Sequence, residues 1–254
     1  MLIRSQGPYD QFLLFGDSIT QQSCSQANGF AFSPALQDAF IRRLDVINRG
    51  FSGYNTKQAL AVLPSFMPRP EQAHLRFMAI FFGANDACLP GSSTGQDVPL
   101  NDYKQYLKAI VQHPSVIAQN PRLILITPPP VNEYKLEESD LVKGLTDPRR
   151  TAEHTKKYAD ACREVGKQLG VAVLDIWSIM MAKTGWREGE PLVGSKKVAR
   201  NEVLEDLLVD GLHFLPAAYK VLYDSMMELI CRTWPDQDPN ASSFVFPPYR
   251  EFLA

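Results

Sequence analysis

The chain has 254 residues, 45% of them apolar and 21% charged, with 26 Lys and Arg against 28 Asp and Glu for a formal net charge of −2. That composition supplies a full hydrophobic core and excludes a largely disordered chain. The near-neutral balance, without a basic cluster, leaves no electrostatic footprint for nucleic acid or an anionic membrane surface, and no apolar run approaches the ~20 residues that span a bilayer.

The opening stretch from Met1 to Asp10 lacks the uninterrupted apolar core of a signal peptide, so the chain is expected to stay in the cytoplasm. Cys24, Cys88, Cys162 and Cys231 are dispersed, with no C-x-x-C pair, and in a reducing compartment they read as thiols. The acceptor Asn240-Ala241-Ser242 is then expected to carry no glycan.

In chain order, Phe12-Leu13-Leu14-Phe15 is an apolar run of strand length that stops at Gly16-Asp17-Ser18, a tight turn with a serine at its tip. In the polar passage that follows, Cys24 either lies near that serine or is a small buried hydrophobe, the plainer role of a free cysteine. Leu36, Phe40 and Leu44 recur every four residues and predict a helix. Asp45 to Asn48 is a short second strand that runs into the glycine-punctuated loop Arg49 to Thr56. Thr56 to Phe66 reads as a helix closed by Pro64, Pro68 and Pro70.

Phe77 to Phe82 is apolar on both faces, as a central parallel strand should be, and ends at Gly83-Ala84-Asn85-Asp86. Asn101 is placed to cap a helix carrying Tyr106, Leu107, Ile110 and Val111. Leu123 to Ile126 is a fourth strand, stopped by Pro128-Pro129-Pro130. Residues Val131 to Arg150 read as a charged, irregular excursion, followed by a long helix with Tyr158, Cys162, Val165 and Leu169 inward and Gly166 and Gly170 near its end. Val171 to Ile176 is the fifth strand, Trp177 to Asn201 a second excursion, and Pro216 to Arg232 a last helix. The tail, about 235–254, is rich in aromatics and prolines and is expected to pack on its own rim or on a second subunit.

Strands alternating with helices at this spacing imply an α/β fold: one domain over residues 1–254, a three-layer α/β/α sandwich around a five-stranded parallel sheet. In such sheets the site lies beyond the carboxyl ends of the strands. Ser18, Gly53 and Asn85 each follow a separate predicted strand, so one rim collects them, and both excursions are expected to border it.

The chemistry is read from those residues. Ser18 is the candidate nucleophile, with a helix-capping serine as the plainer alternative. His213 in Asp210-Gly211-Leu212-His213 is the candidate base, and Asp210 the group that fixes its tautomer, the alternative being a cap on the next helix. His74, His113 and His154 lack such a loop. Gly53 would offer its backbone amide to an oxyanion and Asn85 its uncharged side-chain amide; a plain turn glycine and an asparagine bonding its own backbone are the alternatives. Asp17 and Asp86 are expected to brace the loops through backbone amides rather than act as a glycosidase pair. Metal is not implied, because H-E-x-x-H and paired-cysteine spacings are missing, and with neither G-x-G-x-x-G nor a Walker loop no cofactor is implied.

The blocks Gly16-Asp17-Ser18, Asn48 to Gly53, Gly83-Ala84-Asn85-Asp86 and Asp210-Gly211-Leu212-His213, in that order, resemble those of the GDSL/SGNH hydrolases. The longer strings Phe15 to Thr20, Phe82 to Cys88 and Asp210 to Phe214 are most similar to fungal isoamyl acetate-hydrolysing esterases. The resemblance implies a flavodoxin-like SGNH fold and a serine esterase acting on acetate esters through an acyl-enzyme. Ser18, Gly53 and Asn85 would form its oxyanion hole, and Ser18, Asp210 and His213 its catalytic residues. Carbohydrate deacetylase, lysophospholipase and thioesterase are alternatives within the superfamily, and a catalytically silent binding module is the alternative of another class. The expected partners are a small ester substrate and a second copy of the chain through the tail, without nucleic acid or stable membrane insertion.

Overall fold

The computed structural model describes residues 9–252. Five strands, β1 (Gln11–Gly16), β2 (Asp45–Gly50), β3 (Leu75–Phe81), β4 (Arg122–Ile126) and β5 (Ala172–Leu174), form one parallel sheet in the order β2-β1-β3-β4-β5. The order reverses between β1 and β3, which places the crevice of a doubly wound sheet at the end of β1.

The apolar residues of the central strands divide by parity, because alternate side chains leave a strand on opposite faces. Phe12, Leu14, Phe77, Ala79, Phe81, Ile124 and Ile126 enter one core, packed by α2 (Phe32–Ala39), α8 (Ile176–Lys183), α9 (Glu202–Leu207) and α10 (Pro216–Thr233). Leu13, Phe15, Met78, Ile80 and Leu125 enter the other, packed by α3 (Thr56–Phe66), α4 (Leu100–Val111), α5 (Pro114–Gln119) and α7 (Ala152–Leu169). With both faces covered, β1, β3 and β4 read as nearly unbroken apolar runs.

Several expected elements are corrected. The helix through Leu36 ends at Ala39; Phe40 and Leu44 are still buried, but on the turn that follows, where Arg42 takes a φ of 62°. Pro64 lies inside α3 instead of closing it, two residues before the helix ends at Phe66, at the cost of the bond its N–H would have made to the Leu60 carbonyl. Pro99 rather than Asn101 stands at the start of α4. The 131–150 excursion contains α6 (Glu133–Val142), of whose ten residues only Leu136 and Asp140 are buried; a helix without an apolar stripe leaves no periodic signal. The 177–201 excursion begins within α8, a short helix whose buried Ile176, Trp177, Met180 and Met181 stand among further apolar residues. Cys24 is exposed rather than buried, and all four cysteines are free thiols.

The tail packs on its own chain, at the amino ends of the strands rather than the rim beyond their carboxyl ends. Val245 N–H donates to Arg42 O at 3.0 Å, and Arg42 Nη2 donates to Phe246 O at 2.9 Å and Pro247 O at 3.0 Å. Phe244 lies under both the Arg42 and Arg43 guanidinium groups, 4.2 and 4.4 Å from its ring centre. Leu253 and Ala254 lie outside the described residues. Among the described residues, no helix is long and apolar enough to cross a membrane.

Truncation before Asp236 removes these contacts from the end of the sheet away from Ser18. At this chain length each kcal/mol lost lowers Tm by about 2–4 °C, so a drop of a few degrees with turnover unchanged is expected from a thermal melt and an ester assay. An unchanged Tm would make the tail idle, and a large loss of turnover would connect it to the site. Association of two copies through the tail is a separate expectation, which the solution mass of the same truncated protein tests.

Candidate active site

β1 delivers its last residue, Gly16, into a turn with no room for a side chain: a Cβ there would collide with Thr20 Oγ1 and the carbonyl of Phe81. Asp17 then caps the short helix α1 (Ser18–Gln22), its Oδ1 accepting from Ile19 N–H at 2.9 Å. Because Asp17 fills the capping position, the Ser18 hydroxyl is not used as the cap. Ser18 is instead the first helical residue, and its amide is among those a helix leaves without an internal partner. Its side chain, 5% exposed, meets His213, with Oγ 2.9 Å from Nε2.

His213 stands on a loop that closes on itself. Leu208 and Phe214 form an antiparallel bridge, and Val209 N–H donates to His213 O at 2.9 Å. One carboxylate organises the interior of this loop. Asp210 Oδ1 accepts from Leu212 N–H at 3.1 Å and His213 N–H at 2.8 Å, while Oδ2 lies 2.8 Å from His213 Nδ1. Burial pushes the Asp210 carboxyl up, but the hydrogen bonds and charge of His213 and the amide of Leu212 outweigh it and hold the group well below the usual carboxylate range. An ionised Asp210 only accepts, so the neutral ring carries its proton on Nδ1 and turns the bare Nε2 toward Ser18. Asp210 does not cap the next helix: α10 begins after Leu215, with no side-chain cap.

Gly53, with φ of 82°, takes a backbone conformation that other residues rarely adopt, and its carbonyl accepts from Gln96 Nε2 at 2.8 Å. Asn85, 4% exposed, follows β3 and is held at both ends of its amide: Nδ2 donates to Tyr54 O at 2.9 Å and Oδ1 accepts from Arg150 Nη2 at 3.1 Å. Asp86 bonds the amide of Thr56 at 3.0 Å and its hydroxyl, tying the β3 loop to the start of α3.

Ser18, Gly53, Asn85, Asp210 and His213 thus line one cavity of about 170 Å³, together with Leu136 and others. Gln96 and Arg150 also line it and were not anticipated from the sequence. Gln96 falls in a loop and Arg150 in a charged run, where a lone polar residue reads as solvated; neither carries a local signal. Of the two excursions, only the first borders the cavity, through Leu136, Ser139, Lys143, Arg149 and Arg150. The second supports α6 from behind: Gly194 O accepts from Glu133 N–H at 2.8 Å, and Lys196 N–H donates to Glu133 Oε2 at 3.0 Å.

The remaining histidines are engaged elsewhere. His74 Nδ1 is 3.3 Å from an Asp10 carboxylate oxygen, His113 caps α5, and His154 packs on Tyr158. Among the described residues, no group of three or more His, Cys, Asp or Glu could hold a metal ion.

The GDSL-like Lipase/Acylhydrolase family matches residues 14–221. A GDSL esterase/lipase of Arabidopsis thaliana is 33% identical over 242 residues, 93% of this chain and 91% of its own. The isoamyl acetate-hydrolyzing esterase 1 homolog of Homo sapiens is 35% identical over 224 residues, 87% of this chain and 82% of its own. Among solved structures, a lipase/acylhydrolase from Enterococcus faecalis superposes with a TM-score of 0.60 at 24% identity, covering 88% of this chain and 96% of that one. The acetyl xylan esterase AlAXEase does so with 0.62 at 16% identity, covering 87% and 99%; these two likenesses bear on the fold. The matched span runs from within β1 through the Asp210–His213 loop into α10, and the chain belongs to the GDSL-like lipase/acylhydrolase family, as a carboxylic ester hydrolase.

Proposed function

We propose that the protein hydrolyses short-chain carboxylic esters, acetate esters such as isoamyl acetate among them, through an acyl-enzyme on Ser18. The observation that carries this reading is the continuous chain of contacts Ser18 Oγ–His213 Nε2 and His213 Nδ1–Asp210 Oδ2, at 2.9 and 2.8 Å. His213 takes the hydroxyl proton as Ser18 Oγ attacks the carbonyl carbon, and Asp210 stabilises the imidazolium that forms. The amides of Ser18 and Gly53 and the Asn85 side chain receive the negative charge on the tetrahedral oxygen. The imidazolium then protonates the departing alcohol oxygen, and water repeats the cycle on the acyl group.

Support for a short acyl group comes from the cavity, whose apolar side-chain walls are Leu136 and Leu212 among otherwise polar neighbours. Lysophospholipase or thioesterase action on long chains would need a longer apolar channel. Carbohydrate deacetylation is a second reading favoured by the same polar lining and by the fold shared with an acetyl xylan esterase. The free thiols support an intracellular setting.

Asp17 and Asp86 are braces in this scheme rather than reactants. Burial pushes Asp17 up to about 7 and Asp86 up to about 6, against the lowering effect of the amides and hydroxyl they bind.

A fluorophosphonate is expected to label Ser18, with no label on Ser18→Ala. On p-nitrophenyl esters of increasing length, turnover is expected to peak at acetate or close to it. No label would point to a silent binding module, and a peak at long acyl chains would overturn the acetate assignment.

Asn85→Ala should lower kcat on the order of a hundredfold, the usual cost of one oxyanion donor. Turnover near the wild-type value would remove Asn85 from that role.

A carboxyl whose folded pKa is raised contributes stability that is fully present below its unfolded value and is lost as pH rises through the folded one. Asp17→Asn keeps an acceptor for Ile19 N–H without the charge, so its stability relative to wild type should improve from pH 4 to 7 and then level off. The gap between 3.8 and about 7 corresponds to about 4 kcal/mol as an upper bound. Urea unfolding across that range measures it, and a difference independent of pH would contradict the buried-brace assignment.

A further inference from the structure

We propose that Arg150 is a positioning residue for Asn85, fixing which end of that amide faces the reacting oxygen; the inference rests on the serine-esterase reading above. Arg150 is 5% exposed. It donates to two successive residues of the β3 loop, Nε to Ala84 O at 2.8 Å and Nη2 to Asn85 Oδ1 at 3.1 Å. A guanidinium carries donors only, so the amide oxygen of Asn85 must face it and the flipped amide is excluded. The NH2 group is thereby turned away from Arg150. One of its N–H bonds goes to Tyr54 O at 2.9 Å, and the other is left for the cavity that Asn85 lines with Ser18.

The same contact strengthens the donor. A cation bonded to the amide oxygen draws electron density from the NH2 group and sharpens its N–H polarity. The planar fork matters as well as the charge, since both acceptors are met by adjacent nitrogens of one rigid group. Lysine would supply the charge from a single flexible ammonium and could not hold Ala84 and Asn85 in one fixed geometry.

A competing role is charge balance alone, because Arg150 lies close enough to the buried Asp17 for their charges to act on each other. The lysine variant separates the two roles. If Arg150 only balances charge, Arg150→Lys should behave as wild type. If it positions Asn85, Arg150→Lys should lower kcat about tenfold or more, with KM changed by less than about threefold.

The decisive measurement is a double-mutant cycle on the full chain with p-nitrophenyl acetate, using wild type, Arg150→Lys, Asn85→Ala and the double variant. In the Asn85→Ala background, Arg150→Lys is expected to cost less than about twofold, because the group through which it acts is already gone. Wild-type kcat in Arg150→Lys, or an equal loss in both backgrounds, would overturn the proposal. Arg150→Met should lose more than Arg150→Lys if it folds; if it does not, the lysine cycle decides. Failure of wild-type protein to take a fluorophosphonate at Ser18 would instead overturn the esterase reading itself.

Discussion

The contact between Ser18 and His213 joins residues 195 positions apart, and neither side chain could hold the other in place alone. A serine hydroxyl is a poor nucleophile unless a base meets it at hydrogen-bonding distance. That distance is set by two separately built supports. One is β1, wedged between β2 and β3 with Gly16 packed under the Phe81 carbonyl. The other is the Asp210 carboxylate, which fixes the backbone of its loop and the imidazole together.

The second support itself leans on α6. Asn132 N–H donates to Gly211 O at 2.9 Å, and Lys135 Nζ donates to Glu205 O at 2.6 Å and Leu208 O at 2.7 Å. A helix with two buried side chains therefore contributes through its polar groups what it does not contribute to the core. Two of its ion pairs face outward, Arg200 with Glu138 and Lys196 with Glu137, where each adds little stability alone, while Asp140 pairs with Arg149 largely out of solvent. The buried or half-buried contacts to the His213 loop carry more of the positioning.

This division explains what could be read from the sequence. Strands β1, β3 and β4 were legible because a sheet covered on both faces demands unbroken apolar runs, and the glycine-marked ends of β1, β2 and β3 exposed Ser18, Gly53 and Asn85. Asp210 and His213 were legible because they are three residues apart. Helix α6 was not, since Glu133 to Val142 carries its information in partners far along the chain. Arg150 was hidden for the same reason: in sequence it follows Arg149 in a charged stretch, and only the fold shows one guanidinium paired with Asp140 and the next buried against Ala84 and Asn85. The tail was recognisable as a strap but not its seat, because Arg42 and Arg43 become its cradle only when the turn after α2 presents them.

That seat gives the molecule a polarity. The cavity lined by Ser18 opens at one end of the parallel sheet, and the strap from Ser242 to Pro247 is clasped at the other. Coupling to a bead, a fluorophore or a fused neighbour through the carboxyl-terminal segment would leave the mouth of the cavity pointing away from the attachment and open to diffusing ester.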